Sequence, residues 1–226
     1  MYVITLNNRM FGQHLDVLTA MYRLRRRVFK ERLDWTVSVS GDVELDVYDT
    51  LNPTHLVVMT STNKVAGCVR LLPTTGPTML ADTFPILLGG EVPPRSERIL
   101  ESSRFCVDTG LVFELSETGL NRATFMLFAA MIETLRVAGA DSIVTVTDIR
   151  MERILRRAGW PLVRIAAPRR LGQTMALAGF LRASDEALTA MYRQAGVTGP
   201  VLVEPIAVRA RWPDHAESVG ANRLTE

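Results

Sequence analysis

The chain has 226 residues, 47% of them apolar and 22% charged, which excludes a largely disordered chain, a collagen-like fibre and a disulfide-dense miniprotein. That length supports one compact domain with a sizeable core, or at most two small ones. The net charge of +2 hides an uneven split: of 26 basic residues only Lys30 and Lys64 are lysine. The rest are arginine, whose planar fork suits carboxylate and phosphate. Genomic base composition is the bland explanation; the other is that some of these arginines hold an anion.

Residues 11–33 predict an amphipathic helix, with Phe11, Leu15, Leu18, Met21, Tyr22, Leu24, Val28 and Phe29 at helical spacing and Arg23, Arg25, Arg26, Arg27 and Lys30 opposite. Residues 34–50 then carry Asp34, Asp42, Glu44, Asp46 and Asp49 and no basic residue; this segment predicts a long loop. HLVVMT and VAGCVRLL, joined by the polar STNK, predict a hairpin over 55–72. Residues 73–98 are rich in proline and glycine and read as loop with a short helix near 79–88. ILESSRFCV (99–107) predicts a strand, and 119–138 a largely buried helix stopped by Gly139. SIVTVT (142–147) predicts a strand. Asp148 is a candidate N-cap for a helix that Gly159 ends. WPLVRI and QTMALAGFL are two more strand candidates, DEALTAMYRQAG a helix opened by Ser184, and VLVEP (201–205) a last strand. Alternating helices and strands with no linker predict one α/β domain over residues 1–212, a mixed sheet with helices on both faces, and a polar tail over 213–226.

The two cysteines, Cys68 and Cys106, and the three histidines, His14, His55 and His215, form no metal-ligand spacing. No metal or other cofactor is expected, and the thiols fit a reduced compartment. The N-terminus lacks a basic segment followed by an apolar one, so no signal peptide is expected. The longest apolar run, Phe125 to Ile132, is far short of the ~20 residues a membrane span needs. The expectation is a cytoplasmic protein with no stable membrane insertion. Serine-nucleophile, P-loop and dinucleotide motifs are absent. Cys106 has no suggestively placed histidine, and DTGLVFELSETGLNRA lacks the glycine-rich turn of acetyl-CoA-dependent N-acetyltransferases.

What remains is a set of charged and aromatic motifs in a fixed order: R-x-x-VF-x-x-R-x-x-W (Arg25 to Trp35), E-x-D-x-YD (Glu44 to Asp49), G-C-x-R-LL-x-TTGP-x-ML (Gly67 to Leu80), DTFP (Asp82 to Pro85) and E-x-SRF (Glu101 to Phe105). Singly each has a plain explanation, since a charge inside a strand is either buried and paired or on a solvent face. Together they resemble the acyl-homoserine-lactone synthases, the LuxI-type autoinducer synthases, over roughly residues 1–205. Arg25, Phe29, Trp35, Asp46, Asp49, Arg70, Glu101 and Arg104 occupy the family's positions.

The resemblance implies a single three-layer α/β/α domain like the GNAT-type N-acyltransferase fold. It implies a reaction in two steps. The amine of S-adenosylmethionine, a substrate and not a cofactor, attacks an acyl thioester; the methionyl carboxylate then closes the lactone and expels methylthioadenosine. Glu101 is the candidate proton acceptor for the amine. Backbone N–H groups near 102–107, beside Ser103 and Phe105, are candidates to stabilise the oxyanion. Asp46 and Asp49 suit the cationic parts of the substrate, Arg25 or Arg104 its carboxylate, Phe29 and Trp35 its adenine or sulfonium. Asp49 and Arg104 have an open alternative as structural ion pairs. Glu101 and Arg104 are three apart, so on a regular strand they face opposite sides; either a bulge intervenes or one of them leaves the cleft. Thr145, Val146 and Thr147 are implied to line the acyl site, with Phe125, Met126, Leu127, Phe128 and Met151 as candidate walls that a plain core stripe would equally explain.

The donor is acyl carrier protein or coenzyme A, both anionic. Seven arginines fall between 150 and 170, and Arg150, Arg153 and Arg157 share a helix face as a candidate docking patch. Two other classes stay open: an acetyl-CoA-dependent N-acyltransferase on the same fold, and a nucleic-acid-binding protein. The near-neutral net charge and the acidic 34–49 segment argue against the second.

Overall fold

A computed structural model of the chain describes residues 1–111 and 119–203. It opens with a strand that the sequence pattern does not single out, β1 (Tyr2–Leu6). Its local signal is a single run of five residues, and it is a strand because it lies between two partners. The expected helix over 11–33 comes in three pieces: a 3-10 turn (Phe11–Gln13), α1 (Leu15–Arg25) and a π-helical stretch (Arg26–Arg32). The expected loop of 34–50 holds a small hairpin, β2 (Val39–Ser40) and β3 (Val43–Glu44), and a 3-10 turn (Val47–Thr50). Gly41 makes the hairpin's corner at φ +59°, a left-handed conformation that suits glycine.

The predicted hairpin is β4 (Thr54–Met59) and β5 (Val65–Pro73). The loop after it carries a π-helical turn (Met79–Thr83) and a 3-10 turn (Pro85–Leu88) before β6 (Ile99–Val107). Then come α2 (Arg122–Ala138), β7 (Ser142–Asp148) and α3 (Ile149–Arg157). Their ends follow the sequence: Asn121 caps α2, Asp148 accepts the Met151 N–H at 2.7 Å to cap α3, and Gly139 stops α2 in the left-handed region. The strand expected over 160–165 shrinks to β8 (Val163–Arg164), because Pro161 and Pro168 lack the N–H a ladder needs. The unexpected β9 (Arg169–Leu171) precedes β10 (Thr174–Arg182), α4 (Asp185–Ala195) and β11 (Leu202–Val203). The predicted tail 213–226, and the end of the last predicted strand, lie outside the described residues.

The main sheet runs β11-β1-β4-β5-β6-β7-β10-β8, with β9 also on β10. β1 with β11 and β6 with β7 are parallel; the other neighbours are antiparallel. One face packs on α2, α3 and α4 through a core that includes Val58, Val69, Phe125, Phe128, Leu155, Trp160 and Met191. The other face is covered by α1 and the π-helical stretch over Ile4, Val57, Cys68 and Cys106, and by the loop residues Leu80, Leu87 and Leu88. The chain is thus one α/β/α domain on a mixed sheet. Cys68 and Cys106 are free, buried thiols facing each other across β5 and β6, 3.5 Å apart.

Two details tie the layers. Glu133, buried on α2, accepts the N–H of Val201 at 2.9 Å, the N–H of Leu202 at 3.0 Å and the hydroxyl of Tyr192 at 2.7 Å. One carboxylate therefore fastens both β11 and α4 to the central helix. Toward the other edge of the sheet, Gly179 is pressed against β8: a Cβ there would collide with Leu162 and lie 2.6 Å from the Val163 carbonyl oxygen. Gly179→Ala is expected to push β8 off β10 and destabilise the domain by about 1–3 kcal/mol, read as a lowered Tm.

Candidate active site

Three arginines from three elements converge on the acidic segment. Arg25, the last residue of α1 and fully buried, donates from Nε to Glu44 at 2.6 Å and from both terminal nitrogens to Asp49 at 2.7 and 2.9 Å. Arg70, on β5 and also fully buried, grips Asp46 at 2.5 and 3.1 Å, lies 3.0 Å from Asp49, and donates from Nε to the Ser103 hydroxyl at 3.0 Å. Arg104, on β6, contacts Glu44 at 3.0 Å and Asp46 at 2.7 Å. Three guanidiniums thus meet three carboxylates. The fold of the acidic segment aims those carboxylates. Asp46 accepts the Tyr48 N–H while Asp49 accepts the Asp46 N–H at 2.8 Å, reciprocal caps on the 3-10 turn.

Electrostatics follows from that pairing. Burial alone would raise Asp49, but the Arg25 and Arg70 guanidiniums outweigh it and hold the carboxyl far below its usual range. Burial would lower Arg25; its bonds to Asp49 and Glu44 keep it firmly charged. His55, on β4 behind the cluster, is 1% exposed, its Nε2 3.9 Å from Asp49 and without a hydrogen-bond partner. Phe11 and Tyr22 pack on its ring, and it stays neutral.

The Glu101–Arg104 question is settled by a bulge. The β5–β6 register shifts between Cys68 and Arg70, and Arg104 takes φ +55°, a conformation that costs a non-glycine residue about 1 kcal/mol or more. The extra residue turns Arg104 onto the face that Glu101 and Ser103 share. Phe105 then points to the other face and packs on Phe128, ring centroids 5.2 Å apart. Glu101, 1% exposed, accepts the backbone N–H groups of Met79 at 2.7 Å and Leu80 at 2.8 Å, which open the π-helical turn. Burial raises its pKa, and those two bonds only partly oppose the rise. Met79 links the two sets: its sulfur lies 3.2 Å from Arg70 and 3.7 Å from Arg104.

Phe29 is buried, stacked on Trp35 at 5.5 Å and under the Arg104 guanidinium. Of this pair only half-buried Trp35 presents a ring surface to solvent. Arg27 and Arg32 fasten the π-helical stretch to the end of β6, through Asp108 at 2.9 Å and Thr109 at 3.1 Å. Next to the cluster the sheet opens. β6 and β7 pair from Ile99–Ser142 to Ser102–Thr145 and no further, although β6 runs to Val107 and β7 to Asp148. Thr145 donates its hydroxyl to the Ser102 carbonyl at 3.0 Å, at the point where the strands part. Val146 lies on the opposite face, beside Leu80, and half-buried Thr147 follows beyond. Arg150, Arg153 and Arg157 are exposed on α3, while Arg164 is drawn onto Glu152 at 2.5 Å. Among the described residues no grouping of His, Cys, Asp or Glu would hold a metal ion.

A family model for autoinducer synthases matches residues 10–191, which spans the arginine–carboxylate cluster and the parted strands. The chain belongs to the autoinducer synthase family. It is 45% identical to an acyl-homoserine-lactone synthase of Agrobacterium fabrum over 81% of this chain and 87% of that one. It is 35% identical to that of Pseudomonas aeruginosa, over 83% and 90%. Among solved structures, the AHL synthase LasI superposes with a TM-score of 0.75 at 32% identity, covering 87% of this chain and 96% of that one. The fold extends further, to a putative N-acetyltransferase from Lactobacillus plantarum at a TM-score of 0.52 and 15% identity.

The structure brings together Arg25, Asp46, Asp49, Arg70, Glu101, Ser103 and Arg104 from the sequence-based set, with Phe29 and Trp35 beside them. It places Phe105 and Thr145 on the far side of the sheet opening and the three arginines on a separate helix. Glu44, Met79 and His55 belong to the cluster and were not among the predicted site residues. Glu44 and Met79 had a signal, since they lie in the E-x-D-x-YD and G-C-x-R-LL-x-TTGP-x-ML motifs; a histidine at the head of an apolar strand had none.

The buried imidazole has a measurable consequence. Burial, and then the Arg25 charge, lower the His55 pKa to about 3 from 6.5. A histidine with a depressed folded pKa must shed its proton to fold whenever the unfolded chain would bind one. Its contribution is therefore intact above about pH 6.5 and lost progressively as pH falls from there toward 3. Urea unfolding between pH 6 and 4 is expected to show wild-type stability falling up to about 1.4 kcal/mol per pH unit faster than that of His55→Phe.

Proposed function

We propose that this cluster is where the enzyme joins an acyl group to S-adenosylmethionine and closes the product to an acyl-homoserine lactone. The observation that carries the reading is the three-arginine, three-carboxylate cluster set beside parted parallel strands, in a chain 45% identical to an acyl-homoserine-lactone synthase. S-adenosylmethionine is a substrate, and the reaction needs no resident cofactor. Its neutral α-amine attacks the thioester carbonyl; a free α-amine has a pKa of ~8, so a base must take its proton. Glu101 serves as that acceptor, directly or through a water, and its raised pKa favours the role. The carbonyl oxygen becomes an oxyanion, which backbone N–H groups on the unpaired edge of Ser103 to Val107 stabilise. Collapse breaks the carbon–sulfur bond, releases the carrier thiol and leaves an amide. The methionyl carboxylate then attacks its own γ-carbon, and the bond to the sulfonium breaks to release methylthioadenosine.

The charged residues divide by what they already hold. Arg25, Arg70 and Asp49 are wholly engaged with protein partners and act as the frame. Arg104 and Asp46, with side chains 10% and 12% exposed, are the members open to ligand: Arg104 for the carboxylate, Asp46 for the cationic part. Trp35 offers its ring to the adenine or sulfonium, over the buried Phe29. The acyl chain passes between β6 and β7, by Phe105, Thr145, Val146 and Thr147. The donor is acyl carrier protein or coenzyme A, and Arg150, Arg153 and Arg157 receive its anionic surface. No helix among the described residues is long and apolar enough to cross a membrane. The reading places the enzyme in the cytoplasm, where both substrates are made, without nucleic acid as a partner.

Purified protein given S-adenosylmethionine and an acyl thioester is expected to release methylthioadenosine and acyl-homoserine lactone in equal amounts; absence of methylthioadenosine removes the reading. Arg153→Glu combined with Arg157→Glu is expected to raise KM for a carrier-protein donor about tenfold, roughly 1.4 kcal/mol, and leave KM for S-adenosylmethionine unchanged. Equal effects on both would place docking elsewhere. Alanine at Arg25 strands two buried carboxylates, so loss of activity there is expected with a loss of about 3–5 kcal/mol in stability by urea unfolding.

A further inference from the structure

Beyond the parted strands the far face of the sheet is closed by aromatic rings. Phe105, on the unpaired part of β6, lies 5.2 Å from Phe128 of α2, and Phe128 lies 5.7 Å from Trp160, edge to face. The row runs from the unpaired part of β6 into the core. Phe128 is 1% and Trp160 2% exposed, and Leu155 and Met131 belong to the same cluster. Trp160 follows α3, its backbone N–H donating to the Leu155 carbonyl at 2.9 Å. Its indole N–H donates to the Arg182 carbonyl at the end of β10, 2.7 Å away. The ring is therefore pinned at both ends. Swinging it aside would leave a buried N–H without an acceptor, which a packed interior resists. Ring contacts on both sides, with Phe105 and with Trp160, hold Phe128 in the same way.

We propose that Trp160, with Phe128 before it, is the stop that sets acyl-chain length, and that the enzyme takes thioesters of short to medium straight chains. The inference rests on the reading above, that the acyl chain enters between β6 and β7. A chain that passes Phe105 meets a row of buried, close-packed rings. Further methylenes must displace a pinned indole or stay in water. Each methylene denied burial forfeits about 0.8 kcal/mol, close to fourfold in kcat/KM per added carbon. Trp160 lies outside the charged motifs and on the opposite side of the sheet from the cluster residues that handle S-adenosylmethionine, so its effect falls on the donor alone.

The test is a competition. The enzyme is given S-adenosylmethionine and an equimolar mixture of acyl thioesters of six, eight, ten and twelve carbons, and the lactones are counted by mass spectrometry. The wild type is expected to form mainly the shorter lactones. Trp160→Leu is expected to raise the twelve-to-six product ratio at least tenfold with KM for S-adenosylmethionine unchanged. The ratio is internal to each sample, so a partly unfolded preparation does not distort it. Phe128→Leu, a smaller change one ring nearer the gap, is expected to shift the ratio the same way and carries the test if Trp160→Leu does not fold. A wild type that prefers the longest donor, or folded variants with an unchanged ratio, overturns the length stop while leaving lactone synthesis intact. A wild type that forms no lactone from any donor overturns the functional reading itself.

Discussion

A guanidinium removed from water must be met by oxygen atoms in its own plane, or the domain loses several kcal/mol for each one buried. This enzyme buries Arg25 and Arg70 completely and Arg104 nearly so, side by side. Much else in the N-terminal half answers that demand. The 34–50 segment has little regular structure, but it must carry Glu44, Asp46 and Asp49 to defined points, and its small hairpin and capped 3-10 turn do so. α1 gives way to a π-helical stretch directly after Arg25, so that Phe29 lies under Arg104 and stacks on Trp35. The cluster is neutral by count, which lets it be both buried and rigid. A rigid array of fixed charges is what a reaction passing from a cation and a carboxylate to neutral products requires, since it need not reorganise as the charge changes.

Two departures from regular β-structure lie beside this frame. The bulge at Arg104 places an arginine, a serine and a glutamate from four consecutive residues on one face while leaving Phe105 on the other. The early end of the β6–β7 pairing leaves backbone donors of β6 unpaired beside that face. A continuous ladder would have used those donors. Strain at Arg104 and unused hydrogen-bonding capacity both lie where chemistry is proposed; the sheet's other register shift, between Val58 and Met59, lies away from the cluster in β4.

Most of the scaffold was readable from the chain. Residues 99–107, 119–138 and 142–158 show strong periodicity, with end signals in Gly139, Asp148 and Gly159; α2 starts only at Arg122, behind the Asn121 cap. Charged motifs also marked the cluster. What the sequence did not show was which of the paired charges are fully buried and which keep some exposure. Arg25 and Arg104 look alike in one dimension; they differ because α1 ends against the 3-10 turn and β6 ends at an opening. β1 was missed because five residues carry too little pattern, and its identity as a strand comes from β4 and β11, distant in the chain. Neither the π-helical stretch nor the bulge has a local code here, since both result from fitting side chains to partners elsewhere.

The Glu133 carboxylate sets an order of events during synthesis. It sits in the middle of α2, yet two of its three donors, the N–H groups of Val201 and Leu202, are the last described part of the chain to leave the ribosome. Until they arrive, a nascent domain with α2 packed on the sheet would hold a buried carboxylate without its donors, and β1 would have one open edge. The first strand and the last are neighbours in the finished sheet, so the fold closes end to end. Such long-range closure is slow and leaves β-edge exposed meanwhile. The domain's final assembly therefore waits for residues 201 and 202, and a nascent chain that ends before residue 201 leaves β1 with an open edge and Glu133 without two of its donors.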